Sequence, residues 1–312
     1  MRALVLAGGL SHERDVSLRS GRRVLDALRS VGVDADLRDA DASLLTHLAE
    51  TPYDAVLVAV HGGAGEDGAL REVLDIAEVP YVGSTPDACR IAWDKPTAKA
   101  LASRAGLSTP ASVVLPHAAF RELGAAAVLD RLVGHLGLPL MVKPARGGSA
   151  LGCTTVDKPD ELPSAMVSCF SYGEAALVEH FVTGTEVAVT VVDTGDGPRA
   201  LPAVEVVPLS GVYDYTARYT AGQTEFFAPA RLSAELSAAV AQAAVAAHVT
   251  LGLRDLSRVD LVVDADGTVQ LLEVNTAPGM TETSLLPMAV EAAGLSFGEL
   301  LRDLLVQAAA RR

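Results

Sequence analysis

The chain has 312 residues, half of them hydrophobic and only 4% aromatic, with 25 Lys+Arg against 39 Asp+Glu for a formal net charge of −14. That length suits two or three domains with cores of their own. The charge excludes non-specific binding to nucleic acid or to an anionic membrane, while leaving room for local basic pockets that hold phosphate. Three scattered cysteines, Cys89, Cys153 and Cys169, make neither a disulfide framework nor a zinc site and read as buried, inert thiols. No apolar run reaches the ~20 residues of a membrane span. The N-terminus enters a strand at once rather than a signal peptide, and a reducing cytoplasm is the expected setting.

In chain order, residues 3–7 read as a strand, 17–30 as an amphipathic helix and 35–38 as a second strand. A buried strand at 54–60, a helix at 69–77 and a short strand at 79–83 follow. This alternation implies a parallel sheet covered by helices, so residues 1–93 are expected to form a first α/β domain. Residues 94–180 read as a smaller α+β unit, with strands at 112–115, 140–143, 153–156 and 175–179 and helices at 97–105, 118–136 and 161–170. The remainder, 181–312, carries strands at 186–192 and 201–207, a hairpin, and helices at 234–251, 285–293 and 297–310. Ser296-x-x-Glu299 marks a capping box for the last helix. No repeat or low-complexity linker is present.

The hairpin is the most informative segment. Arg258-Val259-Asp260-Leu261-Val262-Val263 and Leu271-Leu272-Glu273-Val274-Asn275 flank an Asp264-Ala265-Asp266-Gly267 turn. Glu273 and Asn275 share a face by the period of two, and pairing brings Asp260 to them. Hard oxygen donors with few carboxylates suit Mg²⁺, whose coordination is completed by water and phosphate. The alternative is a solvated polar face on an edge hairpin.

The chain continues Thr276-Ala277-Pro278-Gly279-Met280-Thr281-Glu282-Thr283-Ser284-Leu285. With the second hairpin strand this resembles the L-L-E-x-N-T-x-P-G-M-T-x-H-S-L pattern of the D-alanine–D-alanine ligases, members of the ATP-grasp superfamily. Further matches recur in order from Leu4 to the C-terminus. The resemblance implies an α/β fold of ATP-grasp architecture: an N-terminal parallel α/β domain followed by two α+β domains clasping ATP. It implies ATP and Mg²⁺ (two ions, with Mn²⁺ a possible substitute), D-alanine as substrate, and a homodimer through the first domain.

Gly8-Gly9-Leu10-Ser11-His12-Glu13-Arg14-Asp15-Val16-Ser17 follows the first strand and opens a helix, a place where backbone N–H groups can meet an anion, or an ordinary βα turn. It resembles the family's G-G-x-S-x-E-R-E-V-S, which implies that Glu13 orients the ammonium of the first D-alanine and Val16 packs on its methyl. His61-Gly62-Gly63-Ala64-Gly65-Glu66-Asp67-Gly68 resembles H-G-x-x-G-E-D-G and implies His61 beside that substrate.

Lys95, in Trp93-Asp94-Lys95, and Lys143, in Met141-Val142-Lys143-Pro144, each end or follow an apolar run and call for an anionic partner, or are rim lysines. In the family they hold ATP phosphates. The glycine-rich loop 146–152 could cradle phosphate and close as a lid. Resemblance to G-S-S-x-G implies that Ser149 joins Glu13 and Tyr219 in a hydrogen-bonded triad, with Ala150 in place of a second serine.

Leu177 to Glu186 resembles the adenine hinge: Glu179 would accept from the adenine amino group, backbone near Phe181 and Val182 would read the base edge, and Glu186 would bond the ribose. Val212 to Tyr219 resembles F-Y-D-Y-E-A-K-Y, a closing loop in which Tyr219 goes with D-alanine as second substrate. Arg218 there replaces a phosphate-touching Lys, and Thr216 a Glu. Ser284, followed by Leu285, would bond the second substrate's carboxylate, with Thr283 where the family has His. Arg258 and the Gly279 N–H would stabilise the tetrahedral oxyanion.

The implied reaction has two steps. The first D-alanine carboxylate takes the γ-phosphoryl group of ATP, and the amine of the second displaces it to give D-alanyl-D-alanine for peptidoglycan precursors and cell shape. Ala150, Thr216, Arg218 and Thr283 keep a ligase for another second substrate, such as D-serine or a specialised dipeptide, in view. A catalytically weak ATP-binding paralogue is the third reading.

Overall fold

The computed structural model describes every residue except 221 and 312, and leaves the side chain of Tyr219 outside the described set. In chain order the first elements are β1 (Arg2–Ala7), α1 (Arg14–Ser30), β2 (Asp34–Asp39), α2 (Leu44–Glu50), β3 (Ala55–Val58), α3 (Ala69–Ile76), β4 (Tyr81–Val82), α4 (Pro86–Trp93) and α5 (Lys95–Arg104). Then come β5 (Ser112–Pro116), α6 (His117–Leu123), α7 (Ala125–Leu136), β6 (Leu140–Pro144), β7 (Thr154–Val156), α8 (Leu162–Phe170) and β8 (Ala175–His180). The rest are β9 (Gly184–Val192), β10 (Arg199–Ala200), β11 (Val204–Pro208), α9 (Tyr215–Tyr219), β12 (Thr224–Phe227), α10 (Ala234–Thr250), β13 (Leu256–Asp264), β14 (Val269–Asn275), α11 (Leu285–Ala292) and α12 (Phe297–Ala309).

Three sheets result. The first is parallel in the order β2-β1-β3-β4. Strand β1 is buried from Ala3 onward, as a parallel strand covered on both faces must be. Helix α1 buries Ser17, Ser20, Gly21, Val24 and Leu28, a stripe at helical spacing. Gly21 lies within that stripe because a Cβ there would come 2.5 Å from Ala7 Cβ. The second sheet is antiparallel, β5-β8-β6-β7. The third is antiparallel, β12-β11-β9-β13-β14, with β10 on β9.

Packing crosses the sequence blocks. Ala88, Ala92, Ala98 and Ala102 of α4 and α5 share a core with Val240 and Ala244 of α10 and with Val189 and Val259 of the third sheet. The final helix returns to the start of the chain: Leu301, Leu304 and Leu305 pack with Val5, Val24 and Leu57. Gly298 permits that approach, since a Cβ would lie 2.5 Å from Ala27 O.

Several expected elements change shape. The helix expected over 118–136 is two, α6 and α7, broken at Gly124 with φ +87. The strand expected over 201–207 starts at Val204, because Pro202 lacks the N–H that a ladder needs. Helix α4 was not anticipated, although Thr85 caps it and Pro86 opens it. Ser296 caps α12 through the Glu299 N–H at 3.3 Å, which is half of the expected reciprocal box. Cys89 and Cys169 are buried as expected, whereas Cys153 is only partly buried.

Candidate active site

Two cavities meet between the sheets. The first, about 300 Å³, lies between the second and third sheets and is lined by Lys95, Lys143, Glu179, Phe181, Val182, Glu186, Arg218, Asp260 and Glu273. Met141 and Leu272 give it apolar walls, and Cys153 reaches it. The hinge between β8 and β9 forms one side, with Phe181 N donating to Pro139 O.

Register explains how β14 serves this cavity. Asp260 lies opposite Glu273, and the pairing shifts between Asp260 and Leu261, leaving Leu272 unpaired. That bulge breaks the alternation. Leu271 is therefore buried in the core beneath the sheet, while consecutive Leu272 and Glu273 both line the cavity.

Charges here are paired in advance. Glu179, 2% exposed, takes Lys99 on Oε1 and Lys143 on Oε2, the latter at 2.6 Å. Arg258 grips Asp260 with two bonds of 2.7 and 2.8 Å, a buried bidentate pair. Burial opposes that guanidinium charge, but Asp260 outweighs it and raises the pKa above its usual range. Burial likewise opposes ionisation of Glu273, yet Lys95, then Arg218 and Lys143, bring its carboxyl down to about 2. Glu186 goes the other way: burial pushes it up to about 7.

The second cavity, about 430 Å³, is built by loops at the C-terminal edge of the first sheet and by the segment after β14. Glu13, Val16, His61, Ser149, Arg258, Asn275, Gly279, Ser284 and Leu285 line it, with Arg19, Glu66 and Thr283. Ser149 donates to the Glu13 carboxylate from a left-handed backbone, φ +53. Two glycines make space for Glu13. A Cβ on Gly62 would come 1.9 Å from its Oε2, and one on Gly148 3.2 Å from its Oε1.

His61 ties the cavity walls together. Its Nδ1 meets Ala277 O at 3.0 Å and its Nε2 meets Ser20 Oγ at 2.8 Å, while Ser20 Oγ accepts from Met280 N at 3.1 Å. One consistent assignment has Nδ1–H donating to the carbonyl and Nε2 accepting from the hydroxyl. Burial lowers this imidazole to about 4, so it stays neutral. Both ring nitrogens are thus occupied by protein. Ser284 Oγ accepts from Thr281 N at 3.0 Å and shares a 2.8 Å bond with Thr281 Oγ1. Asn275 Oδ1 accepts from Ala277 N at 2.8 Å, turning the chain into the cavity wall.

Lys95, Gly147, Gly148, Tyr213, Arg218 and Glu273 line both cavities and mark where they join. Lys95 Nζ donates to Gly147 O at 2.5 Å and lies 3.5 Å from Glu273 Oε2. Arg218 rises from the short helix α9, whose N-terminus Asp214 caps through Ala217 N at 2.8 Å. Its guanidinium lies 4.3 Å from the Tyr213 ring centroid and donates to Tyr213 O at 3.2 Å. Tyr219 ends that helix, and its side chain, expected to complete a triad with Glu13 and Ser149, lies outside the described residues.

Among the described residues, no three His, Cys, Asp or Glu side chains cluster as a metal site. The donor set present, Asp260 and Glu273 in register with Asn275 two residues on, nevertheless suits Mg²⁺, which takes one or two carboxylates and leaves the rest to water and phosphate. Glu273 is held ionised, as a ligand must be.

Four contributors escaped the sequence reading. Lys99 sits four residues after Lys95 on one helix face, a spacing that could have flagged it. Glu66 lies within the His61 motif; it is buried, accepts from Gly62 N at 2.9 Å, and is pushed up to about 7 by burial and then by the charge of Glu13. Arg71, buried beneath the loop, donates to Gly65 O at 2.5 Å. Arg19 is one turn beyond Val16 and Asp15 on α1 and carried no motif signal.

Two clefts, joined where Lys95 and Arg218 line both, thus lie between a parallel α/β unit and two antiparallel sheets. A family model described as D-ala D-ala ligase C-terminus matches residues 101–306. The D-alanine–D-alanine ligase of Bordetella petrii is 41% identical over 307 residues, 98% of this chain and 92% of that protein. The crystal structure of D-alanine–D-alanine ligase from Bacillus anthracis complexed with ATP superposes with a TM-score of 0.80 at 30% identity, covering 100% of this chain and 97% of that one. The VanG D-Ala:D-Ser ligase from Enterococcus faecalis gives a TM-score of 0.83 at 28% identity, covering 98% of each chain. The chain belongs to the D-alanine–D-alanine ligase family, and it is an ATP-dependent ligase.

Proposed function

We propose that the enzyme joins two D-alanines through an acylphosphate, with ATP in the smaller cavity and both amino acids in the larger. The observation that carries this reading is the junction, where Lys95, Arg218 and Glu273 face both cavities beside the buried Arg258–Asp260 pair. A phosphoryl group leaving one cavity for a carboxylate in the other must pass this point.

Glu13 receives the first D-alanine's ammonium, while Ser149 fixes the carboxylate that does so. Val16 packs on the methyl, and His61 sets the loop from Ala277 to Met280 that carries Gly279. Lys95, Lys143 and Arg218 hold phosphates; Glu179, Phe181, Val182 and Glu186 read base and ribose. Asp260, Glu273 and Asn275 would hold Mg²⁺, which when bound would neutralise charge on phosphate. Arg258, cationic at any working pH, and the Gly279 N–H face the tetrahedral oxyanion, while Ser284 and Leu285 receive the second amino acid. Catalysis is then positioning and electrostatics. The product feeds peptidoglycan precursors; the proposed setting is the cytoplasm and the proposed assembly a homodimer.

A second reading rests on Thr283, which lines the substrate cavity. It admits D-serine as second substrate. One assay separates the two: ADP and phosphate release with ATP, Mg²⁺ and D-alanine, with the product weighed by mass spectrometry. D-alanyl-D-alanine as main product supports the first reading. Release that requires D-serine supports the second, and ATP binding without release under any condition sinks both.

A further inference from the structure

The carboxylate at the base end of the nucleotide cavity has one cation more than charge balance asks. Lys143 and Glu179 both line that cavity, whereas Lys99 reaches Glu179 from the far side. Its helix, α5, packs Ala98 and Ala102 into the core beneath the third sheet. Lys99 is 4% exposed, so its ammonium has no solvent to turn to. Burial lowers Lys99 to about 8, Glu179 raises it, and the neighbouring Lys143 charge lowers it further. An ionised lysine is rarely kept in such a place unless it is paired, and the partner of Lys99 is Glu179.

The arrangement acquires a purpose once phosphate enters. With phosphate bound, Lys143 would stand between two anions, that phosphate and Glu179, whose Oε2 it meets at 2.6 Å. Were it the sole partner, a buried carboxylate would be left uncompensated and free to turn or to take a proton. With Lys99 behind it, the carboxylate stays charged and fixed. A carboxylate offers about four lone-pair sites, so two lysines leave room for a further donor from the cavity.

We infer that Lys99 is a positioning residue for base recognition: it anchors Glu179 through one oxygen so that the other side accepts the 6-amino group of the purine while Lys143 serves phosphate. The inference rests on the reading of the smaller cavity as the nucleotide site with Glu179 facing the base.

The test compares kcat/KM for ATP and for purine riboside triphosphate, which lacks the 6-amino group, in wild type, Lys99→Met, Lys99→Gln and Lys99→Arg. The ratio of the two substrates is independent of how much enzyme is folded, so a merely structural loss leaves it unmoved. Wild type is expected to favour ATP by about tenfold, the worth of one hydrogen bond. Lys99→Met, or Lys99→Gln if the former fails to fold, is expected to bring the ratio near one, and Lys99→Arg to restore part of it. A wild-type ratio near one would overturn the reading of Glu179 itself, and the inference with it. A tenfold wild-type preference that persists in Lys99→Met or Lys99→Gln would overturn the role of Lys99 alone.

Discussion

The two cavities are built by different means. The smaller cavity, the proposed nucleotide site, takes its carboxylates from strands, with charges already paired: Glu179 with Lys99 and Lys143, Asp260 with Arg258. The larger cavity, the proposed amino-acid site, is made mainly of loops, and its polar groups are tied to one another and to backbone, as His61 is to Ser20 Oγ and Ala277 O. The first depends on charge balance and the second on space. A substitution that keeps charge should be tolerated in one, and a substitution that keeps volume in the other.

Arg258 stands at the boundary and should give the largest effect. Arg258→Met removes the proposed oxyanion donor, expected to cost about 10²–10³ in kcat. It also leaves buried Asp260 uncompensated, at about 3–5 kcal/mol of stability; urea denaturation and steady-state kinetics measure the two losses separately. Stability unchanged in that variant would contradict charge pairing as the organising feature of its surroundings.

Space is tested next by Gly62→Ala. The residue sits at φ +67, and the added methyl would overlap Glu13 Oε2. Displacing that carboxylate is expected to lower kcat/KM for D-alanine by about 100-fold while KM for ATP stays within about twofold. Equal losses for both substrates would mean that the cavities are not separable.

The buried acid and base of the substrate cavity give opposite pH slopes. His61 falls from 6.5 unfolded to about 4 folded. Between those values the unfolded chain takes a proton that the folded one refuses, so stability falls by about 3 kcal/mol as pH drops from 6.5 to 4. Glu66 rises from 4.5 to about 7. Its folded form keeps a proton that the unfolded chain releases, so this contribution is full below 4.5 and lost as pH climbs through 7. His61→Asn should flatten the acid side and Glu66→Gln the neutral side, read as differences from wild type in urea midpoints across pH 4–8. Slopes of the opposite sign would refute the burial of either group.

The smallest effect is expected at Arg146, whose bond to Asp94 at 2.8 Å is largely exposed on the arginine side. Arg146→Ala should shift stability by less than about 1 kcal/mol. A large fall in activity with unchanged stability would instead make the Arg146–Asp94 contact a functional anchor of the glycine-rich loop.

Much of the site was legible because its parts are local. The Asp264–Gly267 turn and the two strands it joins brought Asp260 near Glu273, and the register shift at Leu272 sets the two directly opposite. Lys95 and Lys143 stood out as charges that end or follow apolar runs, whereas Glu179 was singled out only by the resemblance of its segment to the adenine hinge. What alternation could not reveal was the bulge at Leu272, which aims two consecutive side chains into one cavity. Nor could it reveal that the helix read over 118–136 parts at Gly124, since a mid-helix glycine and a break look alike until packing selects one.

The sequence by itself determined the chemistry on offer: which carboxylates, lysines and glycines stand at strand ends and turns, where a period of two or 3.6 fixes their facing. The tertiary structure alone decided which of them are paired and therefore which are charged. Lys99 meets Glu179 across 80 residues of chain, and His61 meets the Ala277 carbonyl across 216. Spacing carries no record of such contacts. They arise because a buried charge or ring nitrogen must find a partner wherever the cores of distant segments close around it.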